Sequence, residues 1–224
     1  LISLLAATLA FVGSHIVLSS TTLRGTLREK LGERGYLALY SALALVTLSW
    51  MAVAYGHAPY VPLWDLGRLG RHVPLVVVPI ASILLVGGLV APNPTAVGME
   101  RAAAADDPAP GVLRVTRHPV MWAIGLWALA HLAPNGDAAS LVFFGALAAL
   151  ALGGTVLIDR KKRLALGSNW QRLAEITSNV PFAALLSGRT RPPTGLALPV
   201  AGGLLLFFVL AWAHPLITGV PAHP

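Results

Sequence analysis

Three of the seven histidines, His15, His131 and His214, lie inside long apolar stretches. An imidazole in such surroundings is costly, so it is read first as a ligand or a proton carrier, with a satisfied interhelical hydrogen bond as the competing role. Two neutral imidazoles facing each other across a helix bundle, with apolar walls around them, are what a b-type haem requires. His118, in TRHP, marks the mouth of another apolar stretch, and His57 and His72 border a loop. Histidines at such borders more often anchor a helix end. Depth sorts the candidates. His15 is nine residues from Arg24, ~13 Å along a helix, and His131 is fourteen from Arg117, roughly 21 Å. His118 stands about 1.5 Å from that same mark, so His15 pairs better in depth with His131. Helix tilt absorbs the remaining difference of about 8 Å.

Other chemistries find no support. No HExxH-like pair or extra carboxylate lies beside these histidines, and Asp137 is the nearest acid, so zinc is not expected. The chain has no cysteine, which removes disulfides, thiolate-bound clusters, covalent c-type haem and a cysteine nucleophile. There is no glycine-rich phosphate loop of either common type.

Positioning these histidines falls to six apolar stretches, Leu1–Ser19, Tyr36–Gly56, His72–Val90, Pro119–Ala133, Ala138–Ile158 and Leu196–Thr218. About 20 apolar residues cross a bilayer as a helix, so five qualify and the fourth is short. The 224-residue chain is 56% hydrophobic and 11% charged, too apolar for a soluble domain of its size. Runs such as LLLFFVLAWA lack the alternation of a barrel strand, leaving helices as the way to pair every backbone group in lipid. The expected fold is all-α: a single membrane domain over 1–224, a polytopic bundle of about six spans with an amphipathic interfacial helix on the cytoplasmic side. The first stretch shows no cleavage-site pattern and is read as a true span rather than a signal peptide.

Charge gives the expected orientation. The first, third and fifth loops hold 14 lysines and arginines and the second and fourth hold 2. Basic short loops stay cytoplasmic, which predicts a bacterial inner-membrane protein with both termini on the periplasmic side. The net charge of +7 is therefore juxtamembrane and implies a lipid bilayer partner, not nucleic acid. The first loop reads as an interfacial segment broken at Gly32 and Gly35, and PNGD makes a tight hairpin between the fourth and fifth spans. Leu164, Leu166, Trp170, Leu173 and Ile176 predict the amphipathic helix, lying on the inner leaflet.

Several motifs recur in a fixed order: SH in the first span, LREKLGERGYLALY, VLRVTRHPVM, WALAHLAPNGDAAS, DRKKRLALGSNWQRLAEITSNVPFAALLSGR and AHPLITG. In this order the chain resembles the NnrU family over nearly its whole length, and within it the longer branch that contains the plant 15-cis-zeta-carotene isomerases. The resemblance implies one noncovalent haem b with His15 and His131 as axial, catalytic ligands. Ala128 stands where the plant branch has an alternative cysteine ligand, so a thiolate switch is excluded. His118 and His214 match family histidines without an assigned role. From charge alone, Arg114 and Arg117 are candidates to pair with haem propionates. The implied reaction is cis-to-trans rotation in an apolar polyene without net redox change, active only with reduced iron. The alternative is a haem protein of nitric oxide or nitrite metabolism, taking a small gaseous ligand. Either reading implies an electron donor as partner. TRHP also resembles, more distantly, the isoprenylcysteine and phospholipid methyltransferases. Met121, Ala123 and Asp159 depart from that pattern and speak against S-adenosylmethionine binding.

Overall fold

The computed structural model describes residues 1–20 and 22–222 and is helical throughout its spans. The helices are α1 (Ile2–Ser20), α2 (Thr22–Gly56), α3 (Gly67–Val90), α4 (Pro119–Leu132), α5 (Ala138–Leu166), α6 (Ser168–Ile176), α7 (Ala183–Leu186) and α8 (Ala197–Thr218). Two 3-10 turns, Glu100–Ala104 and Gly111–Arg114, punctuate the Pro/Ala-rich third loop. Five helices are long and apolar enough to cross a membrane, and α4 is shorter. This is a helical membrane bundle. The single membrane domain read from the sequence divides into two compact units, residues 1–65 with 135–150, and residues 66–134 with 151–224.

Two boundaries differ from expectation. The first loop continues the second span as helix, so α2 runs for 35 residues, and only Gly32 leaves helical geometry, at φ 69° and ψ 172°. Gly35, expected as a second breaker, is helical. Its charged neighbours TLREKLGER are good helix formers, so the missing apolar pattern concealed a helix, not a loop. Likewise α5 extends eight residues past Ile158, through DRKKRLAL, until Gly167 turns the chain at φ 52°.

In the first unit, Leu4, Ala7, Phe11 and Leu18 form the buried stripe of α1 at helical spacing, and Tyr36, Met51 and Ala54 are buried on α2. The Tyr36 hydroxyl donates to the Leu18 carbonyl at 2.8 Å and sets the register of the two helices. At the opposite end Asp137 caps α5, its Oδ1 accepting from the Ala139 and Ser140 amides at 3.0 and 3.1 Å. The PNGD hairpin is joined to the second loop by backbone bonds, Leu63 and Trp64 amides to the Gly136 carbonyl and Ala138 amide to Val61. A Cβ on Gly136 would collide with the Trp64 carbonyl oxygen. Gly136→Ala is expected to cost about 1–3 kcal/mol by overpacking, seen as a lowered midpoint of thermal unfolding in detergent. An unchanged midpoint would show that the hairpin gives way freely.

In the second unit, α3 packs against α4 and α8. Gly203 of α8 lies so close to Ile83 that an added Cβ would stand 2.5 Å from the Ile83 Cα, the small-residue approach common between helices in lipid. The expected amphipathic helix is present as α6. Its Trp170 and Leu173 are covered by Ala109 and Leu113 of the third loop rather than by lipid, whereas Leu164, on α5, is 88% exposed.

Candidate functional site

In the first unit His15 is presented by α1, half-buried, with Nδ1 2.8 Å from the Phe11 carbonyl. A carbonyl only accepts, so Nδ1 carries the proton and Nε2 keeps the lone pair in the neutral ring. The imidazole is held between two rings, Phe11 at 4.3 Å and Tyr40 of α2 at 5.4 Å, the latter edge-to-face. Tyr36, one turn before Tyr40, is the residue tethered to α1, so the ring wall beside His15 is fixed through that bond.

In the second unit His131 shows the same device in α4, with Nδ1 2.7 Å from the Trp127 carbonyl and the ring 4.7 Å from the Trp127 ring. This tautomer, with Nδ1–H engaged and Nε2 basic, is the one an axial iron ligand needs. It is also the habit of a helical histidine, since His57 and His72 bond their i−4 carbonyls at 2.8 and 2.6 Å. An imidazole in this tautomer could ligate a metal through Nε2, and the backbone bond alone does not single out His15 and His131. Among the described residues no three His, Asp or Glu side chains gather to hold a metal ion by themselves.

The expectation for the arginines meets a different arrangement. Arg114 is buried and donates through Nη2 to both oxygens of Asp107 at 2.7 and 2.8 Å, and through Nη1 to Thr190 at 2.8 Å. Burial raises the Asp107 carboxyl, but the Arg114 bonds and charge outweigh it and hold the group below the usual carboxylate range. Arg117 grips Asp159 with two parallel bonds, Nε to Oδ1 at 2.9 Å and Nη2 to Oδ2. Each guanidinium is neutralised by its own carboxylate, so neither is left over to meet a propionate.

Around Arg117 the structure assembles a polar cluster that the sequence had not brought together. His118 Nε2 donates to Asp159 Oδ1 at 2.6 Å, and its side chain is fully buried. Burial holds the His118 imidazole below the ordinary histidine range, against the opposing pull of Asp159. The Thr116 hydroxyl donates to the Asn179 carbonyl at 2.6 Å, and the Arg117 amide to Ser178 at 3.0 Å. The Asn179 side chain meets Thr155 at 2.9 Å and the Trp122 indole N–H at 3.3 Å. The Arg117 guanidinium lies over the Trp170 ring at 5.5 Å, a cation–π stack. TRHP, the end of the fifth span and TSN therefore form one knot. Phe182, at φ 66° in the left-handed region, closes it by donating its backbone N–H to the Val115 carbonyl at 2.8 Å. The available signal was Asp159, a lone acid directly after an uninterrupted apolar run and followed by four basic residues.

Comparison with known proteins gives two plant relatives. The 15-cis-zeta-carotene isomerase, chloroplastic, of Arabidopsis thaliana is 28% identical over 231 residues, 97% of this chain and 61% of that protein. The protein of the same name from Zea mays is 27% identical over 227 residues, 96% of this chain and 60% of its own length. The chain thus spans about three-fifths of the curated relatives it matches. No solved structure matches it. The NnrU protein family profile covers residues 3–222, almost every position from the first span through the end of α8, and the chain belongs to the NnrU family.

Proposed function

We propose that this chain is a membrane isomerase that converts a cis double bond of an apolar polyene to trans, using a noncovalent haem b held by His15 and His131. The observation that carries the reading is the similarity to two plant isomerases over 96–97% of the chain, in a bundle whose spans present histidines in the ligating tautomer. When bound, the haem would supply an iron whose reduction lends electron density to a conjugated system. The chain's own residues do the rest. Phe11 and Trp127 carbonyls fix the two rings, and Phe11 and Tyr40 restrict rotation of His15. The apolar outer faces of the spans let a polyene arrive from the bilayer without crossing water. The basic first, third and fifth loops are assigned to the cytoplasmic face of a bacterial inner membrane, with periplasmic termini.

The test is turnover of a 15-cis polyene by the detergent-purified protein, oxidised and dithionite-reduced, without oxygen. Conversion is expected in the reduced state only. Equal turnover by the ferric protein removes the redox dependence. A haem spectrum that responds to nitric oxide, with no polyene conversion in either state, favours the nitrogen-oxide reading instead.

A further inference from the structure

We propose that the cleft between the last turn of α5 and the side of α6 binds a phosphate-bearing anion, with Arg163 and Arg189 as its charged walls. The cleft has a volume of about 720 Å³, and its lining includes Arg163, Trp170, Gln171, Glu175 and Arg189. Two guanidiniums against one carboxylate leave it positive.

Arg189 is held in position. Its Nη1 donates to the Ala174, Glu175 and Thr177 carbonyls at 3.2, 3.1 and 3.3 Å, and its Nε to Ser187 at 3.1 Å. It therefore caps the end of α6 and presents a fixed positive charge with little ordering left to do on binding. Arg163 is exposed, in the last turn of α5. Trp170, 2% exposed, belongs to the same wall. The guanidinium stacked on it, Arg117, is already matched by Asp159, so Arg163 and Arg189 are the charges the cleft offers.

Position favours a lipid as the source of the phosphate. The uncharged run of α5 ends at Ile158, five residues before Arg163, or ~7.5 Å along the helix. The headgroup layer extends about 5–8 Å beyond the hydrocarbon on each face, so Arg163 stands at headgroup level.

The experiment is native mass spectrometry of the full chain, delipidated in detergent, with phosphatidylglycerol, phosphatidylcholine and sn-glycerol 3-phosphate as probes. Phosphatidylglycerol is expected to form a one-to-one adduct. Arg163→Gln weakens it about fivefold, as the loss of one basic residue at an anionic surface does. Arg163→Glu weakens it further, and Arg101→Glu, at an exposed arginine outside the cleft lining, leaves it intact. Glycerol phosphate bound with the same dependence on Arg163 keeps the site and moves its source to soluble phosphoesters. Phosphatidylcholine held as firmly as phosphatidylglycerol, equal weakening by Arg101→Glu, or no adduct with any probe overturns the site. None of these outcomes depends on haem.

Discussion

Alanine at His15 or His131 is expected to abolish or alter the visible haem spectrum, on the proposed reading that these two imidazoles hold the group. It should also lower isomerase turnover by more than the roughly 10–100-fold that loss of an outer-shell partner costs a metal site. Each ring sits on a helix with its Nδ1–H on the i−4 carbonyl, at 2.8 Å for His15 and 2.7 Å for His131. Alanine removes the remaining lone pair while keeping helical propensity, so the loss is one of coordination rather than of the span. His57→Ala is the control, because that ring makes the same backbone bond from an exposed position. Spectra of the oxidised and dithionite-reduced proteins decide the matter. If His15→Ala and His131→Ala both keep the wild-type Soret and α bands, neither residue is an axial ligand.

The second large effect is expected at Asp159. Replacing it with alanine leaves the Arg117 guanidinium uncompensated and strips the His118 Nε2–H of its acceptor, in side chains that are 14% and 0% exposed. Breaking one partner of a buried pair costs about 3–5 kcal/mol. Thermal unfolding in detergent should show it as a large drop in midpoint. Glu33→Ala provides the comparison, because Glu33 and its partner Arg28 are 48% and 42% exposed and solvent screens the pair. Arg117→Met combined with Asp159→Leu should recover much of the loss, since an apolar pair leaves no charge stranded. A double variant as unstable as Asp159→Ala would place the cost in packing rather than in the unpaired charge.

The spans were legible because lipid demands long apolar runs. All six stretches correspond to helices, and α3, α4 and α8 begin or end within a few residues of the expected limits. Helix continued where the apolar signal stopped, in TLREKLGER before the second span and DRKKRLAL after the fifth, because charged helix formers carry no hydropathy signal. The apolar face of α6 was visible as a pattern, but its cover was not. Ala109 and Leu113 lie some 60 residues earlier, and nothing in the periodicity of α6 distinguishes a protein cover from lipid. The polar knot was hidden for the same reason. Arg117, His118, Asp159 and Asn179 each stood in a quoted motif, yet only the fold brings them to one point. His15 and His131 were proposed from type, depth and the family resemblance, a reading that needs no knowledge of how the helices pack.

The bond between Thr116 and Asn179 spans 63 residues of chain, and those from Arg117 and His118 to Asp159 span 42 and 41. Synthesis runs from the N-terminus, so the arginine and histidine at the mouth of α4 exist well before the acid that neutralises them. During that interval water or headgroups are the partners open to them. Such long-range closure is slow in folding terms. Phe182, whose left-handed backbone costs of order 1–3 kcal/mol, gives its amide N–H to Val115 as the last of these closures in chain order. The contacts around TRHP therefore close only after the end of α5 and the TSN segment have been made.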